Sequence, residues 1–136
     1  MMSPYIFVVA VILAIIPMLI LFKLSMERIK DDPEQIAKVQ THFLIGAALS
    51  EAIPIILIVY GFANLTPVNN VQELYMPGII ILLIVSASLF FIMLQRAVNI
   101  EEDVKGIINQ FVIISLGITN AIPMVSIIAL FLMIPN

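Results

Sequence analysis

The sequence predicts an all-α membrane protein: four transmembrane helices arranged as two tandem helical hairpins. Three observations predict it. Of the 136 residues 62% are hydrophobic and 11% charged, more apolar surface than a soluble domain of this length can hide. The apolar residues fall into four long runs, each near the ~20 residues an α-helix needs to cross the hydrocarbon core. A pattern in the second run returns in the fourth. The runs are continuous rather than alternating, which excludes the short strands of a barrel, and helices satisfy their backbone hydrogen bonds internally.

The first run, Pro4–Phe22, has no basic residue before it and no small-residue cleavage site after it, so it is expected to be a retained span rather than a signal peptide. The connection that follows, SMERIKDDPEQIAKVQ, is charged and mixed in sign. It can carry both flanking helices into water, with Pro33 starting the second helix and Asp32 as its N-cap. The second run is Phe43–Tyr60. A polar, turn-rich stretch with Pro67, Asn69 and Asn70 leads to the third, Met76–Leu94, and Phe111–Met133 forms the fourth. Tyr5, Tyr60 and Tyr75 lie near span ends, where an aromatic belt would sit.

Positive charge sets the expected orientation. Lys23, Arg28, Lys30 and Lys38 surround the first connection, and Arg96 and Lys105 lie in the third. By the positive-inside rule the loops 23–42 and 95–110 are cytoplasmic, and both termini and the middle connection face outside.

Laying LSEAIPII (Leu49 to Ile56) over ITNAIPMV (Ile118 to Val125) pairs Ser50 with Thr119 and Glu51 with Asn120. Ala52, Ile53 and Pro54 meet Ala121, Ile122 and Pro123 unchanged. The offset is about half the chain, so residues 1–68 and 69–136 read as two parallel hairpins, the first carrying Glu51 and the second Asn120.

Glu51 is the candidate functional residue. It lies about 12 Å from either end of its apolar run, where a charge is costly. It can hold a proton, pair with a cation, or face a water-filled cavity. No basic residue lies at its depth in any of the four runs, so proton or metal-cation binding is the simplest expectation. The competing structural role is a permanently protonated glutamate that hydrogen-bonds between helices.

Ser50, Asn120 and Thr119 are candidate supporting residues, with interhelical adhesion the plainer role for Thr119, Ser86, Ser88, Ser115 and Ser126. Pro54 and Pro123 have no backbone N–H for the carbonyls of Ser50 and Thr119; each marks a helix kink or a free ligand oxygen. His42, where the second run begins, reads as polar punctuation rather than a relay.

The rest of the composition excludes other classes. A net charge of −3 gives no electrostatic case for nucleic-acid binding. The chain has no cysteine, hence no disulfide framework or thiolate metal site, and one histidine, too few for a histidine-rich metal site. No nucleophile–base set, phosphate loop or metal motif is present, so the chain is not expected to be an enzyme by itself, nor to carry a cofactor.

The stretch FLIGAALSEAIPIILIVYGF (Phe43 to Phe62) resembles the outer helix of the F-type ATP synthase c subunit, and ERIKDDPE before it resembles that family's polar loop. The likeness is specific across these stretches and weak elsewhere. The doubled hairpin is similar to the V-type proteolipid, which also has one working carboxylate per two hairpins, usually in the fourth helix. The resemblance implies that Glu51 reversibly binds a proton or sodium ion in an oligomeric ring, with ATP synthase-like membrane partners besides lipid. It further implies that Asn120 marks a second site that has lost its charge.

Two features depart from the pattern. The first helix has no glycine and only Ala10 and Ala14 as small residues, and the loop carries Lys30-Asp31-Asp32-Pro33 in place of Arg-Gln-Pro. These departures support the alternative expectation, a non-transporting c-like scaffold or assembly protein. A carrier of small substrates would need more polar lining than the runs offer. The first helix also offers almost no further polar ligand, which favours H⁺ over Na⁺ as the transported ion.

Overall fold

The computed structural model describes residues 4–97 and 105–135, without the side chains of residues 96, 97, 105 and 107. Four α-helices account for the four apolar runs: α1 (Tyr5–Asp31), α2 (Ile36–Ala63), α3 (Tyr75–Ala97) and α4 (Lys105–Leu132). All four are long and apolar enough to cross a membrane, and no strand occurs among the described residues. The chain is an all-α, multi-pass membrane protein.

The helices outrun the expected spans because their charged flanks stay helical. The loop expected over 23–42 is helix up to Asp31 and again from Ile36. Lys, Glu, Gln and Arg are good helix formers with long stems that carry their charge to water. The break is confined to Asp32, whose extended backbone stops α1 and whose side chain accepts a hydrogen bond from Glu34 N (3.2 Å). Pro33 then opens a single 3-10 turn, Pro33–Gln35, that feeds α2. Of the loop expected over 95–110, residues 98–104 lie outside the described residues.

The middle connection is held by an analogous cap. Asn70 accepts from Gln72 N (3.1 Å), and Glu73 accepts from the backbone of Asn69 (3.0 Å) and Asn70 (3.2 Å), which sets up the 3-10 turn Val71–Leu74 ahead of α3. Val68 N donates to the carbonyl of Met133 (3.0 Å), tying this connection to the end of α4.

The helices alternate in direction. At one end Lys30 of α1 donates to the carbonyl of Gln95 near the end of α3 (2.7 Å), and Phe111 near the start of α4 packs between Phe22 and Phe43. At the other end Phe7, Val68, Leu74 and Met133 share one cluster. The two hairpins therefore run parallel.

Helix α1 packs against the other three and is the most enclosed, whereas α2 and α3 scarcely meet. Large side chains such as Leu49, Leu83, Phe90 and Ile113 cover the outer faces, as expected where lipid rather than water is the solvent.

The tightest helix contact is between α1 and α2. A Cβ on Gly61 would stand 2.8 Å from the fully buried Phe7 ring, whereas one on Gly117 would meet nothing within 4 Å. Gly61→Ala is expected to lower stability by about 1–3 kcal/mol through overpacking. Gly117→Ala should gain up to about 1 kcal/mol from helix propensity. Unfolding of both variants in mild detergent checks the pair.

Candidate functional site

Three contacts fix the register of α1 against α2. Leu21 lies against Gly46, the Ser50 hydroxyl lies 3.9 Å from the Met18 sulfur, and Phe7 lies against Gly61. Counting along the antiparallel pair puts Glu51 level with Pro17, one turn beyond Ala14. Helix α4 is set by Phe111, which stacks on Phe22 (5.7 Å between centroids, 6° between planes) and meets Phe43 edge-on (5.1 Å, 68°). Counting on from there puts Thr119 in the layer of Glu51 and Ala14. Gly78 lies beside Leu130, which brings Ser88 of α3 to the same layer.

The apolar core follows this layering and falls into two clusters, with Leu19 packed against both. One holds Phe7, Val11, Ile81, Leu130 and Met133; the other holds Met18, Phe22, Phe43, Ile92 and Phe111. Between them lie Glu51 and Pro54 on α2, Ser88 on α3 and Thr119 on α4, all buried, whereas the buried Ser115 lies one turn further along α4 among the residues of the second cluster. The bundle thus has a polar waist at mid-height, contributed by three helices and faced by the small side chain of Ala14 on α1.

The waist is incompletely satisfied. Ser115 donates to the Phe111 carbonyl and Ser88 to the Val85 carbonyl, each at 2.8 Å, the usual recourse of a hydroxyl inside an apolar helix. Glu51 Oε1 and the Thr119 hydroxyl have no hydrogen-bond partner among the described residues, though Glu51 is only 8% exposed and Thr119 only 1%. The Ser126 hydroxyl, two turns along α4, is likewise buried and unpartnered.

Prolines loosen the backbone around this layer. Pro17, Pro54 and Pro123 lie inside α1, α2 and α4, and none has an N–H for the carbonyl one turn earlier, on Leu13, Ser50 and Thr119 respectively. The resulting donor set is a carboxylate, hydroxyls and carbonyls. All-oxygen ligation suits a proton or a hard cation and not a soft metal.

The residues singled out from the sequence are distributed as follows. Glu51 is in the waist. Ser50 is half-buried beside it, but its hydroxyl is engaged by the Ala47 carbonyl (3.2 Å). The repeat pairs Glu51 with Asn120, yet Thr119 takes the inward position on α4. Asn120 is half-buried and its amide donates to the Leu116 carbonyl (2.8 Å). The buried stripe of α4 therefore sits one residue out of phase with that of α2, about 100° of helix rotation.

Ser86 points outward, while Ser88 and Ser115 are buried. His42 is exposed, 3.4 Å from an Arg28 guanidinium nitrogen at the basic end of the bundle, remote from the waist. Pro17 was not singled out by the sequence reading. Counting outward from the turn at Pro33 would have placed it opposite Glu51.

No family model, curated protein or solved structure matches the chain.

A buried polar atom without a partner costs about 1–3 kcal/mol. Glu51→Leu is therefore expected to stabilise the isolated protein in detergent by about that amount. A loss of stability would mean that Glu51 is held by a bond essential to the fold.

Proposed function

We propose that this chain is a proton-binding membrane protein of the c-subunit-like kind, in which Glu51 takes up and releases H⁺ at mid-membrane. The observation that carries the reading is the enclosed, partnerless Oε1 of Glu51 in a layer without a counter-charge. All six lysines and arginines belong to the connecting ends around residues 23–38 and 96–105. An ionised carboxylate in such a place demands compensation, and a proton supplies it with the least rearrangement. Sodium is the second candidate ion, because the surrounding groups are oxygens.

Loading from one aqueous side neutralises the carboxyl, and release to the other returns its charge. The membrane potential acts on the carried charge, at about 2.3 kcal/mol per elementary charge for 100 mV. We place the basic connections on the cytoplasmic side and the termini outside, as the distribution of Lys and Arg supports. The likeness around Glu51 supports an oligomeric, ring-forming assembly with ATP synthase-like membrane partners.

One observation favours a second reading, a c-like scaffold without transport. The two alanines of α1 are buried and its outward stripe is bulky, with Val9, Leu13, Ile16 and Ile20, so it does not present a small-residue face to another copy.

Carbodiimide labelling separates the two, because the reagent attacks the protonated carboxyl. In mild detergent, Glu51 should be labelled selectively, with labelling falling as pH rises and absent in Glu51→Gln. Protection by sodium at constant pH would identify Na⁺ as the ion. Labelling confined to the loop acids would support the scaffold.

A further inference from the structure

Serine and threonine inside an apolar helix usually donate to a carbonyl three or four residues back. Ser88, Ser115 and Ser50 do so here. Thr119 and Ser126 do not. Both are enclosed, at 1% and 0% exposure, and neither hydroxyl has a partner among the described residues. They lie two turns apart on one face of α4, with Pro123 buried between them and unable to donate to the Thr119 carbonyl. Thr119 is level with Glu51, and Ser126 is level with the turn of α1 from Phe7 to Ala10. The residues of α1 along this stretch include its only two alanines, Ala10 and Ala14, both fully buried.

Buried polar groups that lack a protein partner are ordinarily satisfied by water, which needs a polar surrounding with two to four partners. Glu51 Oε1, the Thr119 hydroxyl and carbonyl, and the Ser126 hydroxyl provide such a row.

The two ends of the row differ. Toward the basic connections, Ser115 is self-satisfied and Phe22, Phe43 and Phe111 close the core. Toward the end carrying Pro4 and Met133, the row continues to Ser126, level with Phe7, whose ring is pressed against Gly61 and meets Phe62 edge-on at 6.0 Å.

We propose that Thr119 and Ser126 hold a chain of buried water that connects Glu51 to the Pro4–Met133 end of the bundle, with Phe7 as its closure. One of the two access routes to the carboxyl then lies inside this single chain rather than at a contact with another subunit. The inference rests on Glu51 being the proton site.

The chain has no cysteine of its own, so single cysteines can be read without background. Ser126→Cys and Ser115→Cys, each with and without Phe7→Ala, would be exposed in lipid nanodiscs to a small, water-soluble cationic thiosulfonate. Melting would first establish that each variant is folded. The expected result is modification at position 126 and none at 115, faster when Phe7 is removed, with the response of Glu51 labelling to a pH jump slowed once position 126 is blocked. Position 126 reacting no faster than 115 in both backgrounds would overturn the water chain. Equal rates at position 126 with and without Phe7 would overturn Phe7 as its closure. Carbodiimide enters from lipid, so intact Glu51 labelling alongside an unreactive position 126 would reject the route alone, whereas absent Glu51 labelling in the unmodified chain would reject the proton site itself.

Discussion

The middle of this bundle is governed by one constraint, a carboxyl at mid-membrane depth with no counter-charge to meet it. An apolar helix bundle gains little by placing a glutamate there, and the cost of a charge at that depth is several kcal/mol even on lenient estimates. The surrounding structure responds in kind. The core parts into two apolar clusters, the Ser88 and Thr119 hydroxyls lie between them, and prolines in three helices leave backbone oxygens without their usual donors. The rest of the molecule holds this layer together, through the caps at Asp32 and Asn70, the Lys30 bond to Gln95 and the aromatic contacts of Phe111.

Helix α1 is the second organising element. It carries no polar side chain at the waist, yet it contacts every other helix and so sets their heights. Its two alanines are fully buried, and its Phe7 ring is pressed against Gly61 of α2. Its packing also separates the bundle from a simple pair of side-by-side hairpins, since the second hairpin closes over the carboxyl of the first.

The architecture was legible in the sequence because its signals are strong and local. Four uninterrupted apolar runs leave no other solution in a bilayer, and Asp32-Pro33 marks the tip of the first turn as chain stereochemistry requires. Glu51 stood out in the sequence as a lone carboxylate amid such residues, and the structure buries it. What the sequence could not give was helix rotation. The Ala-Ile-Pro repeat aligns Asn120 with Glu51, but which residue of α4 turns inward depends on how Phe111 seats between Phe22 and Phe43. That contact puts Thr119 inside and leaves Asn120 bonded to its own helix. Nor does any periodicity separate Ser88 and Ser115, which satisfy themselves, from Thr119 and Ser126, which do not. That distinction rests on side-chain geometry alone.

The central claim is that Glu51 changes protonation state while buried. Infrared difference spectroscopy in lipid bilayers, comparing the protein with Glu51→Gln across pH, tests it most directly. The account predicts a carboxylic-acid carbonyl band, assigned by its loss in the variant, that is replaced by carboxylate bands as pH rises and returns on acidification. A Glu51 carbonyl band that persists unchanged at every pH at which the bundle stays folded would contradict it, and would make the glutamate a fixed element of packing.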